Sequence, residues 1–309
     1  MPLTYHYGQI EVQTQANTLP VAEMLAGWVG PVGEFCRTAD LVVLAIAATD
    51  GRLEFMALSG APPVAEIVGP SRVLLPLGGE ATQANIDGEI SCGGLAIGLA
   101  VARRARLNGA LWRSPEGLVM EASEAFTNCR KYIAPSAPLA DERHFGPVSR
   151  QAVDLADPWV TALLANAETS FLASVSPDGV IDVSHRGGPP GFLRLDAETV
   201  VWEEYVGDGM FKSAGNIRAT GTMALLVPDL ATGDALELTG HAEVQVRRRD
   251  KQPRMDALLQ NKHEHPVQGL VTCTVGEAFR LERFMQPRKR LEKRLRVTSA
   301  SATEQQYPQ

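Results

Sequence analysis

Several things are scarce in this sequence, and each scarcity excludes something. Cysteine occurs four times, at Cys36, Cys92, Cys129 and Cys273, with no C-x-x-C pair. Scattered thiols of this kind argue against a disulfide framework and a structural zinc site, and are read as reduced and mostly buried. No apolar run approaches the ~20 residues needed to cross a bilayer, and residues 1–21 show no basic segment leading into an apolar one, so no signal peptide is read there. Positive charge is not in excess: 29 Lys and Arg face 36 Asp and Glu, a net charge of −7. That balance is wrong for a protein that reads a phosphate backbone. No G-x-G-x-x-G element marks a nicotinamide domain. The expectation is a cytoplasmic protein with a small-molecule partner, no nucleic-acid or membrane partner and no metal.

What the sequence does have is short strand signals separated by turns. Its 309 residues suffice for two domains of ordinary size. Residues 1–20 are polar and read as a loose arm, and 19–38 carry apolar positions at helical spacing. Strands are expected over 41–48, 53–58, 72–77, 95–102, 104–112 and 118–125, the first two joined by a hairpin at Asp50-Gly51. A Pro-, Ser- and charge-rich stretch follows. Asp157 then reads as the N-cap of a helix with Pro158 at its first position. Strand signals resume over 170–176, 180–184, 199–203, 223–227, 235–246 and 271–279. The resulting division is 1–135, a linker at 136–156, and 157–309.

The two halves read as a diverged repeat. Asp50-Gly51 matches Asp178-Gly179 at an offset of 128, and Asn85-Ile86 matches Asn216-Ile217 at 131. Leu107-x-Gly109 matches Leu238-x-Gly240, again at 131, and Glu124-Ala-Phe126 matches Glu277-Ala-Phe279 at 153. The jump from 131 to 153 places an insertion in the second copy, with 250–266 as its site and a helical stretch at 255–261. Short antiparallel strands in tandem point to sandwiches or barrels.

Two groups in the second copy have no counterpart in the first. His185 and Arg186 end a strand ahead of a Gly/Pro-rich loop, which lets a ligand approach the backbone closely. Lys212 and Ser213 stand at a helix start, a natural phosphate site. The repeat aligns Arg186 with Leu58 and Lys212 with Ala81, so the first copy lacks both cations.

The segments DVSHRGGPPGFL and GDGMFKSAGNI resemble the pyridoxamine 5′-phosphate oxidase-like superfamily of FMN-binding split barrels, as do RRARLNGAL and EAFTNCRKYI in the first half. The resemblance implies a mainly β chain with a few helices, built as two tandem split β-barrels, the first degenerate. It implies an FMN-binding flavoprotein acting as an oxidoreductase on a small molecule, in a homodimer. The implied cofactor-binding residues are Ser184, His185, Arg186, Gly187, Met210, Phe211, Lys212, Ser213 and Asn216. Where the vitamin-making oxidases carry an Arg-Lys pair, this sequence has Lys212-Ser213, which speaks against pyridoxamine phosphate oxidation. No catalytic side chain is assigned. The alternatives are a non-enzymatic flavin carrier or sensor, and a haem-binding or haem-degrading protein with His241, His263 or His265 on iron. Because such barrels share sites across an interface, Arg130 and Lys131 are candidates to reach the flavin of the facing barrel. Cys129 and His263-Glu264-His265 read as a structural thiol and a solvated loop, and the basic run 288–296 as a solvated helix end.

Overall fold

The architecture follows from a computed structural model of the chain, which describes residues 4–18, 32–77, 86–207, 209–248 and 265–292. The first half begins with the helices α1 (Tyr7–Gln15) and α2 (Gly33–Arg37). Its strands are β1 (Leu41–Ala47), β2 (Leu53–Ser59), β3 (Glu66–Ile67), β4 (Arg72–Pro76), β5 (Ile90–Gly98), β6 (Arg103–Ser114) and β7 (Gly117–Thr127). Three short strands follow, β8 (Ser136–Pro138), β9 (His144–Gly146) and β10 (Ser149–Ala152), then α3 (Pro158–Asn166). The second half contains β11 (Thr169–Val175), β12 (Ile181–Gly187), β13 (Leu193–Asp196), β14 (Thr199–Tyr205), α4 (Lys212–Thr220), β15 (Thr222–Pro228), β16 (Ala235–Val246), β17 (Val267–Glu282) and β18 (Arg288–Arg290).

The first sheet runs β3-β4-β7-β6-β5-β1-β2, and the second runs β13-β14-β17-β16-β15-β11-β12. Strand by strand this is one order used twice, so the chain is a tandem pair of split β-barrels. The repeat extends to local detail. Each first hairpin closes with the same two bonds, Ala48 N to Arg52 O with Gly51 N to Ala48 O, and Ser176 N to Val180 O with Gly179 N to Ser176 O. The glycines adopt φ +85° and +80°, a left-handed conformation that penalises any Cβ, hence Asp-Gly in both copies. A bulge separates Asn108 from Gly109 opposite β7, and another separates Thr239 from Gly240 opposite β17. Asn108 pairs with Glu124 and Thr239 with Glu277, so the 131 and 153 offsets are those of the β-ladder itself. The extra residues of the second copy therefore lie between β16 and β17. The expected helical stretch at 255–261 lies outside the described residues.

Among the described residues three apolar clusters form. One fills the first barrel (Leu44, Leu58, Leu107 and Leu118 among others), and one fills the second (Leu172, Trp202, Leu238 and Val271). The third lies between the halves, where Val43, Phe55 and Leu95 meet Phe171, Val183 and Leu226. Alternate residues of one strand serve different cores: Leu44 packs inside its barrel, while Val43 and Ala45 face the other. The halves thus pair as a pseudo-dimer within one chain.

The structure corrects several expectations. The polar arm is the helix α1, with a capping box from His6 and Gln9, packed against α4. Residues 99–102 form a turn rather than the end of a strand, and β5 starts earlier, at Ile90. The segment 136–156 is built into both sheets, β9 pairing with β2 and β10 with β17. Of the basic run, Arg288–Arg290 is a strand paired with β8, and Arg288 is buried against Ser136 and Asp40. Asp157 caps α3 as expected, accepting from Trp159 N at 2.8 Å. Among the described residues no helix is long and apolar enough to cross a membrane.

Candidate functional site

A cleft opens where the two barrels meet. The first half contributes Arg104 and Arg106 from β6, and Asn128, Cys129 and Tyr132 from the segment after β7. The second contributes His185, Arg186 and Gly187 from β12, Glu203 to Tyr205 from β14, and Met210 to Ala214 at the start of α4. β6 delivers its polar residues by period-two alternation: Ala105 and Leu107 enter the barrel core, while Arg104, Arg106 and Asn108 face the other half.

Beneath the cleft lies a buried network. Asp182 accepts from Arg106 Nη1 at 3.0 and 3.1 Å, from Asn108 Nδ2 at 2.9 Å and from Ser213 Oγ at 3.0 Å. Burial works to raise its pKa, but Arg106, then Lys212 and the Asn108 and Ser213 bonds, outweigh it and hold the carboxyl below its ordinary 3.8. Ser213 also meets Ser184 Oγ at 2.9 Å, and Ser184 accepts from Arg186 Nη1 at 3.1 Å. Arg186 Nε donates to Glu204 at 2.7 Å, and Lys212 Nζ pairs with Glu124 at 2.8 Å. Both cations that the sequence singles out are thus already oriented by carboxylates, one of them from the other half.

His185 is set by its neighbours. Its Nδ1 lies 2.6 Å from Arg104 Nη1. A guanidinium only donates, so Nδ1 accepts and the proton sits on Nε2. Burial, followed by Arg104 and Arg186, pushes the imidazole well below its ordinary 6.5, so it is neutral. Nε2 is buried with no hydrogen-bond partner among the described residues. The residue lines the cleft, and its Nε2–H is left unused. The start of α4 is a second source of donors: Phe211 occupies the N-cap at φ +52° and supplies no side-chain cap, leaving the first-turn N–H groups to other acceptors.

Of the expected site residues, His185, Arg186, Gly187, Met210, Phe211, Lys212 and Ser213 line the cleft together. Ser184 lies beneath, in the network. Asn216 is elsewhere, bonded to His6, Gln9 and Ser174. Arg130 is exposed and Lys131 half-buried, and neither lines the cleft; their neighbours Asn128, Cys129 and Tyr132 do. His265 stacks beside Tyr132 and Tyr205, 5.2 and 4.9 Å between centroids, and His263 lies outside the described residues. His241 packs against Gly221, away from the cleft. Cys36, Cys92 and Cys273 are buried with pKa values pushed up to about 12 by desolvation, and all four cysteines are free. Among the described residues no cluster of three or more metal-ligating side chains forms. Arg104, Arg106, Asn108, Glu124 and Asp182 were not singled out; the readable signal was the run of polar residues at alternate positions of a strand, Arg104-x-Arg106-x-Asn108.

No protein-family model and no curated protein sequence matches the chain. Solved structures do. One is HupZ of Group A Streptococcus, 20% identical over 40% of this chain and 90% of that one, TM-score 0.30. Another is a pyridoxamine 5′-phosphate oxidase-related, FMN-binding protein of Nostoc punctiforme, 13% identical over 45% and 89%, TM-score 0.30. General Stress Protein 26 of Bacillus anthracis is 15% identical over 42% and 95%, TM-score 0.27. Each covers less than half of this chain. The split-barrel assignment rests on the strand order and register described above.

Proposed function

We propose that the chain binds one FMN in the cleft between its barrels and acts as an FMN-dependent oxidoreductase on a small molecule. The observation that carries this reading is the convergence of Arg186, Lys212, Ser213 and the uncapped start of α4 on one cleft wall, beside the unused Nε2–H of His185. A ligand suited to this wall has a compact anion and further acceptors, and a flavin phosphate meets both demands. The residues therefore fit the group, through directed hydrogen bonds rather than a strong positive field. Arg104, Arg106, Arg186 and Lys212 are matched around the cleft by Glu124, Asp182, Glu203 and Glu204.

When bound, FMN supplies the electron-transfer chemistry, and the protein supplies binding and orientation. Lys212, Arg186 and the N–H groups at the start of α4, that of Ser213 among them, hold the phosphate; His185 donates to an acceptor on the ligand, its tautomer set by Arg104 from the other barrel. Tyr132 reaches across the interface, its hydroxyl donating to Val206 O at 2.9 Å, and forms part of the wall with Tyr205. With no nicotinamide domain recognisable in the sequence, a reductant docks directly at the flavin. Titration of the apo-protein with FMN is expected to give bands near ~450 nm and saturation at one FMN per chain, with NADH or NADPH then reducing the flavin. A Soret band near ~400 nm after purification, with no flavin bound, would overturn the reading in favour of haem.

A further inference from the structure

The helix α1 is an unexpected neighbour of the cleft. Beside the core residue Val12, this helix (YGQIEVQTQ) buries two carboxamides, Gln9 and Gln13, at 2% and 3% exposed. Burying a carboxamide is unfavourable unless its hydrogen bonds are made. Both amides are used on the segment 210–216, of which Met210 to Ala214 line the cleft and Asn216 lies behind it. Gln13 Nε2 donates to Met210 O at 2.8 Å, and Gln9 Nε2 donates to Asn216 Oδ1 at 3.0 Å. His6 completes the set: its Nδ1 accepts from Gly8 N, which leaves the proton on Nε2, 2.7 Å from Asn216 Oδ1. Asn216 passes the connection on through Nδ2 to Ser174 Oγ of β11 at 3.1 Å.

The backbones also meet. A Cβ on Gly8 would overlap the carbonyl of Gly215, and one on Gly215 would overlap the backbone of Gln9. Only glycine at both positions lets α1 rest directly on the first turns of α4. The segment it grips includes Phe211, a bulky residue in the left-handed region at φ +52°. Such a conformation persists only where the surroundings over-determine it, and Gln13 holds the carbonyl immediately before it.

We propose that α1 is a positioning element for the ligand cleft, with Gln13, Gln9 and His6 holding Met210–Asn216 in the conformation that presents Lys212 and the α4 N–H groups, that of Ser213 among them, to the ligand's phosphate. The proposal rests on the FMN reading above and names its positioning residues.

The test uses the full chain and two ligands, FMN and riboflavin, which differ by the phosphate. Wild type is measured first by flavin-fluorescence titration. Gln13→Ala is expected to lower the FMN-to-riboflavin affinity ratio roughly tenfold, the scale of misaligning one or two charge-assisted bonds, with riboflavin affinity unchanged. Gln13→Glu, which keeps the size and removes the donor, and Gly8→Ala, which lifts α1, are expected to shift the ratio the same way. Glu11→Ala is the control, since it breaks only the pair with Arg218 at the outer face of the same two helices. A merely structural role would lower thermal stability and leave the ratio alone. Wild-type ratios in folded Gln13→Ala, Gln13→Glu and Gly8→Ala would overturn the proposal. A wild type with no preference for FMN would overturn the functional reading and this inference with it.

Discussion

Two places in the barrel interface are equivalent by the repeat, and the chain treats them in opposite ways. At the cleft, Arg106 of β6 reaches Asp182 of β12, and Phe126 lies against the guanidinium at 5.5 Å. The offsets of 131, 128 and 153 turn these three residues into Glu237, Glu54 and Phe279. Two carboxylates now face each other where a cation faced a carboxylate, and Glu237 is fully buried. Arg150, carried in by β10, settles the charge. It donates to Glu237, pairs with Glu54 at 2.6 Å and stacks over Phe279 at 4.2 Å. Arg52 adds a bond to Glu277 at 3.1 Å. Ala57 and Leu58 stand in the positions of His185 and Arg186. One site therefore keeps donors facing an open cleft, while the other is closed by the chain's own arginine. The two places are equivalent in register, and the segment joining the barrels supplies the arginine that fills one of them.

The comparison can be broken most forcefully at Arg150. Arg150→Ala leaves Glu237 buried without its cation and is expected to cost about 3–5 kcal/mol, read by urea unfolding. Glu237→Gln in the same chain recovers part of that, and FMN still binds one per chain. Two per chain in the wild type would show that the closed site is open after all.

Next comes the pair Leu58 and Arg186, equivalent in register but different in surroundings. Leu58→Ala opens a cavity in the first core and is expected to cost about 2–5 kcal/mol with no change in the FMN-to-riboflavin ratio. Arg186→Ala is expected to weaken FMN about tenfold and riboflavin much less. Arg186→Lys recovers only part, because lysine keeps the charge and loses the planar fork. An unchanged ratio in folded Arg186→Ala would remove Arg186 from the phosphate site.

The smallest effect sharpens the contrast through pH. Burial, opposed by Arg150, raises Glu237 to about 7, from an ordinary 4.5. The folded state then holds this proton more tightly than the unfolded state, so the contribution of Glu237 to stability falls as pH rises from about 4.5 to about 7. Asp182 has the opposite sign: its lowered pKa adds stability above about 3.8 that is lost as pH falls through the folded value. His185, depressed well below 6.5, also removes stability as pH falls beneath its ordinary value. The Glu237 contribution is therefore read as a difference. Glu237→Gln should raise stability relative to wild type more at pH 7 than at pH 5, and an equal difference at both would show that Glu237 does not titrate there.

Much of this was legible along the chain because it is local. The Asp-Gly turns need a left-handed glycine, the glycines at the two bulges leave no room for a Cβ beside the neighbouring strand, and Asp157-Pro158 suits a helix start, so they mark their places in any sequence. The contrast between Arg186 and Leu58 was visible for the same reason: the repeat gave a register against which a lost cation stood out. The strands β9, β10 and β18 were not legible. They are three or four residues long, and β10 and β18 are polar. Nothing in their periodicity says which sheet edge or strand they join.

By itself the sequence determined the barrel unit, its duplication and the cationic wall of the second copy, since hairpins, bulges and alternating strands follow from backbone sterics and side-chain period. The tertiary structure decided which groups from far apart in sequence share one buried volume. It brought Arg104 to His185 across 81 residues, selecting the imidazole's tautomer, and placed Gln13 under Met210 across 197. It also brought Arg150 between the fully buried Glu237 and the partly exposed Glu54, a field that exists only once the barrels have paired.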